Sequence, residues 1–137
     1  MYELFDHTAD LGIRVRAKTL DALFSDAAEG LFAAVVEDIR TIRSDVMVEI
    51  SVCGKDREYL LFDWLRELLL RFDTEGLLFG RFVVTVTDAG LTATACGEPV
   101  NRARHQMARE VKAITYHGLK VNQNADGTWL AEVIVDI

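Results

Sequence analysis

From Gly12 the chain sets Ile13, Val15 and Ala17 against Arg14, Arg16 and Lys18, a period of two that predicts a half-buried strand with a basic outer face. A short strand precedes it at Tyr2 to Phe5. The period then lengthens. Thr19 is placed to cap a helix carrying Leu20, Leu23, Phe24, Ala27, Ala28, Leu31, Phe32 and Val35 on one stripe. Alternation returns at Val46, Val48, Ile50 and Val52 and stops at Gly54. Asp56 can cap a second amphipathic helix, with Leu60, Leu61, Trp64, Leu65, Leu68 and Leu69 on one face and Arg66, Glu67 and Arg71 on the other.

Past Gly76 the pattern predicts hairpins. Arg81 to Thr87 and Leu91 to Cys96 flank Asp88-Ala89-Gly90, and Val111 to Asn122 and Thr128 to Ile137 flank Asn124-Ala125-Asp126-Gly127. Between the two hairpins, Gly97 to Arg109 is polar, holds the single proline Pro99 and has no period, so it reads as a long loop or a frayed turn of helix. Long loops often carry function. The elements together predict an α+β fold: two amphipathic helices packed on a mainly antiparallel or mixed β-sheet of about seven strands. At 137 residues, half of them apolar, residues 1–137 suit one domain able to close a single core.

Composition narrows the function. The formal charge of −7 argues against wrapping bare nucleic acid, which needs a basic field to displace counterions; RNA, if involved, would be held by a partner. No apolar run approaches the roughly 20 residues of a membrane span, and the opening MYELFDHTAD carries acids where a signal peptide carries bases, so the expected location is the cytoplasm, with no membrane partner. Cys53 and Cys96 lie far apart without a C-x-x-C pattern and are expected to be buried thiols. Phosphate loops of the G-x-x-x-x-G-K-S/T type, G-x-G-x-x-G and the G-x-S-x-G elbow are all missing, which removes support for P-loop hydrolysis and serine esterase chemistry.

The candidate chemistry is acidic. Asp10 sits in His7-Thr8-Ala9-Asp10, a polar break between two strand-like runs, where it either closes an Asx-type turn or offers an accessible carboxylate. Asp136 is followed by Ile137, whose α-carboxylate is covalently close; the alternative is a frayed, solvated terminus. If the first and last strands bring Asp10 to Asp136, the clustered carboxylates repel unless a cation neutralises them, and hard oxygen donors favour Ca²⁺ or Mg²⁺, with Mn²⁺ as an alternative. Lys112, at the start of a strand, is either an exposed charge blunting an edge or a cation held near that cluster. His7, His105 and His117 lack metal-binding spacing and are expected to hydrogen-bond locally.

The strings His7-Thr8-Ala9-Asp10-Leu11-Gly12, Glu110 to His117 (EVKAITYH) and Val133 to Ile137 (VIVDI), in this order and spacing, resemble the archease family. The likeness runs through the LFSDAAEGLF and LLFDWLRELL helices and the Gly97-Glu98 turn. Leu11 stands where isoleucine is common in the family. Asn101 stands where an acid is common, so the loop after Pro99 is not expected to add a carboxylate. The resemblance implies a non-enzymatic helper of an RtcB-type RNA ligase, the enzyme that joins spliced tRNA halves through a guanylylated histidine. The helper would promote guanylylation and multiple turnover and broaden the nucleotides accepted. It further implies metal ligation by Asp10, Asp136 and Ile137 through its carboxylate, a functional role for Lys112, and RNA met only through the ligase. Alternatives are a chaperone or modulator of RNA-processing proteins, and a metal-dependent hydrolase using Asp10, Asp136 and Lys112. Self-association into a homo-oligomer stays open.

Overall fold

Thr19 accepts the Ala22 amide through Oγ1 at 3.1 Å and so opens α1, Leu20–Val35, in the computed structural model, which describes residues 1 to 137. The predicted stripe is the buried one: Leu23, Phe24, Ala27, Ala28, Leu31, Phe32 and Val35 are all withdrawn from solvent. Asp56 caps α2, Arg57–Glu75, by accepting the Glu58 and Tyr59 amides at 2.9 and 3.1 Å. Gly76 ends α2 in the left-handed region at φ 68°, returning its amide to the Phe72 carbonyl, a conformation that costs most residues with a Cβ. The helices are joined through their buried faces, where the Trp64 indole donates to the Phe24 carbonyl at 3.0 Å. Burying a side chain the size of Phe24 or Leu65 stabilises by roughly 1.5–3 kcal/mol, so these stripes and not the caps hold the helices down.

The strands are β1 (Tyr2–His7), β2 (Asp10–Ala17), β3 (Val46–Cys53), β4 (Leu77–Thr87), β5 (Gly90–Pro99), β6 (Ala113–Ile114), β7 (Lys120–Gln123) and β8 (Trp129–Asp136). Every pairing is antiparallel. They form two sheets in place of the single sheet expected: β1-β2-β8-β6, with β7 also on β8, and β3-β5-β4. α1 packs against β2 of the larger sheet and β4 of the smaller, and α2 against strands of both. One core of 33 buried residues therefore spans the two sheets. The α+β class is as predicted, and hairpin periodicity carries no information on which hairpins share a sheet.

Three local differences have physical causes. The Val111 to Asn122 run splits into β6 and β7 because Gly118, at φ 63°, turns the chain between them. β5 continues past Cys96 to Pro99 because β4 extends back to Leu77 and pairs with it; at Gly97 a Cβ would stand 1.8 Å from the Leu78 carbonyl oxygen. Cys96 is buried, but Cys53 is exposed, contrary to expectation. It shares the outward face of β3 with Met47, Glu49 and Ser51, where a period of two must put it.

Candidate functional site

Thr8 and Ala9 are the whole of the β1–β2 turn, because β1 runs to His7 and β2 starts at Asp10. Ala9 takes φ 64°, the one non-glycine residue of the chain with positive φ. That conformation costs an L-residue roughly 1–2 kcal/mol, and here the hairpin register imposes it. Asp10 is therefore a strand residue, and its carboxylate accepts no hydrogen bond that would make an Asx turn.

Register does the assembling. His7 is the Cα partner of Asp10, Asp10 of Asp136, and Asp136 of Ala113, one transverse row at the end of β1-β2-β8-β6. The Lys112 amide donates to the Asp136 carbonyl at 2.8 Å, so the lysine enters the same end of the sheet one residue before β6. Directly paired residues share a face, which sets the Asp10 and Asp136 carboxylates side by side. Asp136 and Ile137 are exposed, and Asp10 is half-buried. The structure thus sets Asp10 beside Asp136, with Ile137 next in the chain, and places Lys112 at the same end of the sheet but on the wall of a hollow beside α2.

The rest of that outer face is neutralised internally. Arg14 bonds Glu132 at 2.8 Å and Glu3 at 3.3 Å, Arg16 bonds Glu3 at 3.1 Å, and Lys120 lies 3.1 Å from Glu132. Hydrogen bonds from Arg16 and then Arg14 hold the Glu3 carboxyl below its ordinary range. Burial alone would raise the Glu132 carboxyl, but its bonds from Lys120 and Arg14 prevail and lower it. Phe5 separates this ladder from the carboxylate row. Its ring covers Gly12, where a Cβ would meet it at 2.1 Å, and carries the Arg14 guanidinium 4.3 Å from its centroid. Gly12 is required by this stacking.

At the row itself Asp10 and Asp136 have no basic partner within 4.0 Å, apart from the His7 Nδ1 at 4.0 Å from Asp10. His7 Nδ1 is buried without a hydrogen bond, and its ring meets His117 edge-on at 5.3 Å. The expected local hydrogen bonding of histidines thus fails for His7. No three His, Cys, Asp or Glu side chains converge closely enough to hold an ion by themselves. The donor set that fits a hard cation is two adjacent carboxylates completed by the Ile137 α-carboxylate.

Sequence reasoning missed a second centre. Glu98 and His105 are the buried polar residues of the chain, and they bond each other at 2.9 Å. His105 Nδ1 accepts the Asn101 amide at 2.9 Å, which leaves Nε2 to donate to Glu98. Glu98 also accepts the Arg43 amide at 2.6 Å and pairs with Arg104, which in turn donates to the Thr41 carbonyl. Burial opposes the charge, but Arg104, the Arg43 amide and His105 together hold Glu98 at about 2. The polar spacing Glu98, Arg104, His105 was visible in the loop, without any sign that it turns inward.

With this geometry, the comparisons with known proteins fall into place. Residues 2–137 match the model of the Archease protein family. A protein archease of Pyrococcus furiosus is 41% identical over 140 residues, covering 99% of this chain and 98% of the relative. One of Sulfolobus acidocaldarius is 41% identical over 138 residues, with the same coverages. The solution structure of protein 1598 of Methanobacterium thermoautotrophicum superposes with a TM-score of 0.85 at 36% identity, covering 99% of this chain and 98% of that one. The crystal structure of a Thermotoga maritima protein described as an archease and possible chaperone shares the fold at a TM-score of 0.66, with 20% identity over 100% of this chain and 98% of that one.

Proposed function

This chain belongs to the archease family, and on that footing we propose that it is a metal-binding, non-enzymatic activator of an RtcB-type RNA ligase. The observation that supports the reading is the register of Asp10 with Asp136, which leaves two carboxylates paired across strands without a lysine or arginine while every other acid on that face is satisfied. Like charges directly opposite each other destabilise a sheet, so the pair favours a bound cation.

In this proposal Asp10, Asp136 and Ile137, through its α-carboxylate, hold a divalent cation, Ca²⁺ first and Mg²⁺ or Mn²⁺ as alternatives. When bound, the ion supplies a fixed positive charge at the tip of the sheet. Asp10 and Asp136 orient it by their fixed register, and Lys112 adds a mobile cation beside it to meet a phosphate or a carboxylate of the ligase. The tip docks beside the ligase active site and helps arrange nucleotide for attack by the ligase histidine, which raises guanylylation and turnover and broadens nucleotide use. A net charge of −7 steers the helper towards a basic, RNA-holding partner in the cytoplasm.

The test is a multiple-turnover RNA ligation with the cognate ligase and GTP, adding no helper, wild type, Asp10→Ala or Asp136→Ala. Wild type is expected to stimulate and both folded variants to lose stimulation. Full stimulation by either variant refutes the tip; no stimulation by wild type refutes the activator reading and leaves the chaperone. The His7–His117 pair beside two carboxylates favours one other reading, a metal-dependent hydrolase with His7 as base. Ligase-free turnover of a phosphoester, lost in His7→Ala, would establish that reading instead.

A further inference from the structure

Six of the fifteen Lys and Arg side chains, Arg14, Arg16, Arg40, Arg71, Arg104 and Lys120, have a carboxylate within 4.0 Å. Nine do not. Four of those nine, Arg66, Arg102, Arg109 and Lys112, gather around two adjoining hollows that share Lys112 and Asp73. The larger, about 660 Å³, lies between the C-terminal part of α2 and the loop leading into β6, with Arg102, Arg109 and Lys112 on its wall. The smaller, about 170 Å³, continues along α2 to Arg66.

Unpaired cations in an acidic chain would ordinarily spread out or find carboxylates, since like charges in one concavity repel. Here the backbone prevents dispersal. Arg104 and His105 tie the loop between Arg102 and Arg109 to buried Glu98, and the Ala108 amide donates to the Val35 carbonyl at 2.8 Å. The loop is fixed from beneath, and its remaining bases face the hollow.

The lining chooses the ligand. Phe72, Met107 and Val111 give the larger hollow apolar surface beside the three bases, which suits a flat base with phosphates attached. Asp73 and Glu110 also border it, and carboxylates accept hydrogen bonds from the amino and ring N–H groups of a nucleobase. The same two acids interrupt the basic wall. A polynucleotide needs a continuous basic track, and a chain of net charge −7 provides a single cup. The volume is that of a small-molecule site. We propose that this cleft is a mononucleotide-binding site, with Arg102, Arg109 and Lys112 taking the phosphates and Phe72 and Met107 carrying the base. It shares Lys112 with the proposed tip but rests on Arg102 and Arg109, which the ligase reading does not use, and it is tested without the ligase.

The probes are ATP, GTP, inorganic triphosphate and a single-stranded RNA decamer, titrated calorimetrically into the isolated protein in EDTA so that the carboxylate tip holds no metal. Saturable one-to-one binding of ATP or GTP is expected. Arg102→Glu/Arg109→Glu should weaken it by about a hundredfold or more, because each of the two lost charged hydrogen bonds accounts for about tenfold. Arg81→Glu, an unpaired base on β4 away from the cleft, should leave it unchanged, and circular dichroism should show both variants folded. Three results overturn the proposal: no saturable nucleotide binding at millimolar concentration, binding indifferent to the double reversal, or triphosphate or RNA binding as tightly as the nucleotide.

Discussion

Glu98 and the Asp10–Asp136 pair are both carboxylates at strand ends, yet their surroundings are opposites. Glu98 is buried, and its two oxygens meet an arginine, an imidazole and a main-chain amide. Asp10 and Asp136 sit at the open end of their sheet, next to each other, with the rest of their sheet face already neutralised. A charge satisfied inside the fold serves the fold, and here it clamps the loop from Val100 to Lys112. A like-charged pair left unsatisfied at the surface costs the fold a little and remains free for a ligand. Burial with partners marks structure in this molecule, and exposure without partners marks the candidate site.

The largest expected effect separates the two centres by stability. Glu98→Ala should cost about 3–5 kcal/mol, since it leaves Arg104 and His105 without their buried partner; urea unfolding measures it. A loss below about 1 kcal/mol would place Glu98 on the same footing as the surface pair. The pH dependence sharpens the point. Glu98 is lowered from 4.5 to about 2, so its stabilisation is fully present above about pH 4.5 and lost as pH falls towards 2. Urea midpoints at successive pH values should show that acid limb in wild type and a flatter one in Glu98→Gln.

Next in size is the response to cations. Saturating Ca²⁺ at about a hundred times its Kd should stabilise wild type by about 2.7 kcal/mol, and Asp10→Asn/Asp136→Asn should show no shift. An equal shift in both proteins would place the cation elsewhere. Without divalent ions, Asp136→Asn alone should change stability by under about 0.5 kcal/mol, and in the stabilising direction, because it removes a repulsion between strands. A clear loss in the melting curve would mean that the pair is structural after all. The smallest effect belongs to the turn that sets the register: Ala9→Gly should stabilise by up to about 1 kcal/mol by relieving positive φ, less what glycine gains in the unfolded chain.

Periodicity was a good guide where one face of an element meets one core. Thr19, Asp56 and their apolar stripes foretold α1 and α2, and the Gly90 and Gly127 turns foretold two hairpins, because caps and turns depend on residues close in sequence. It was a poor guide where a partner strand extends or bends an element. β5 runs on to Pro99 because β4 pairs with it there, and the β6–β7 break depends on a turn within an apparently continuous run.

The same division holds for the sites. Asp10, Asp136, Ile137 and Lys112 were legible as acids and a base in motif-like strings, but the register of Asp10 with Asp136 and the place of Lys112 at that end of the sheet depend on β8 pairing with β2 on one side and with β6 on the other, over more than a hundred residues of separation for Asp10 and Asp136. The inward turn of Glu98 and His105 left no trace in a polar loop, since a buried ion network and a solvated one have the same composition. By itself, then, the sequence determined the helices, their caps, the turns and the side chains available for chemistry, all of which are settled within a few residues along the chain. Tertiary structure alone decided the two sheets, the carboxylate row, the Glu98 clamp and the basic cleft, because each requires residues distant in sequence to be held at contact distance by a shared core.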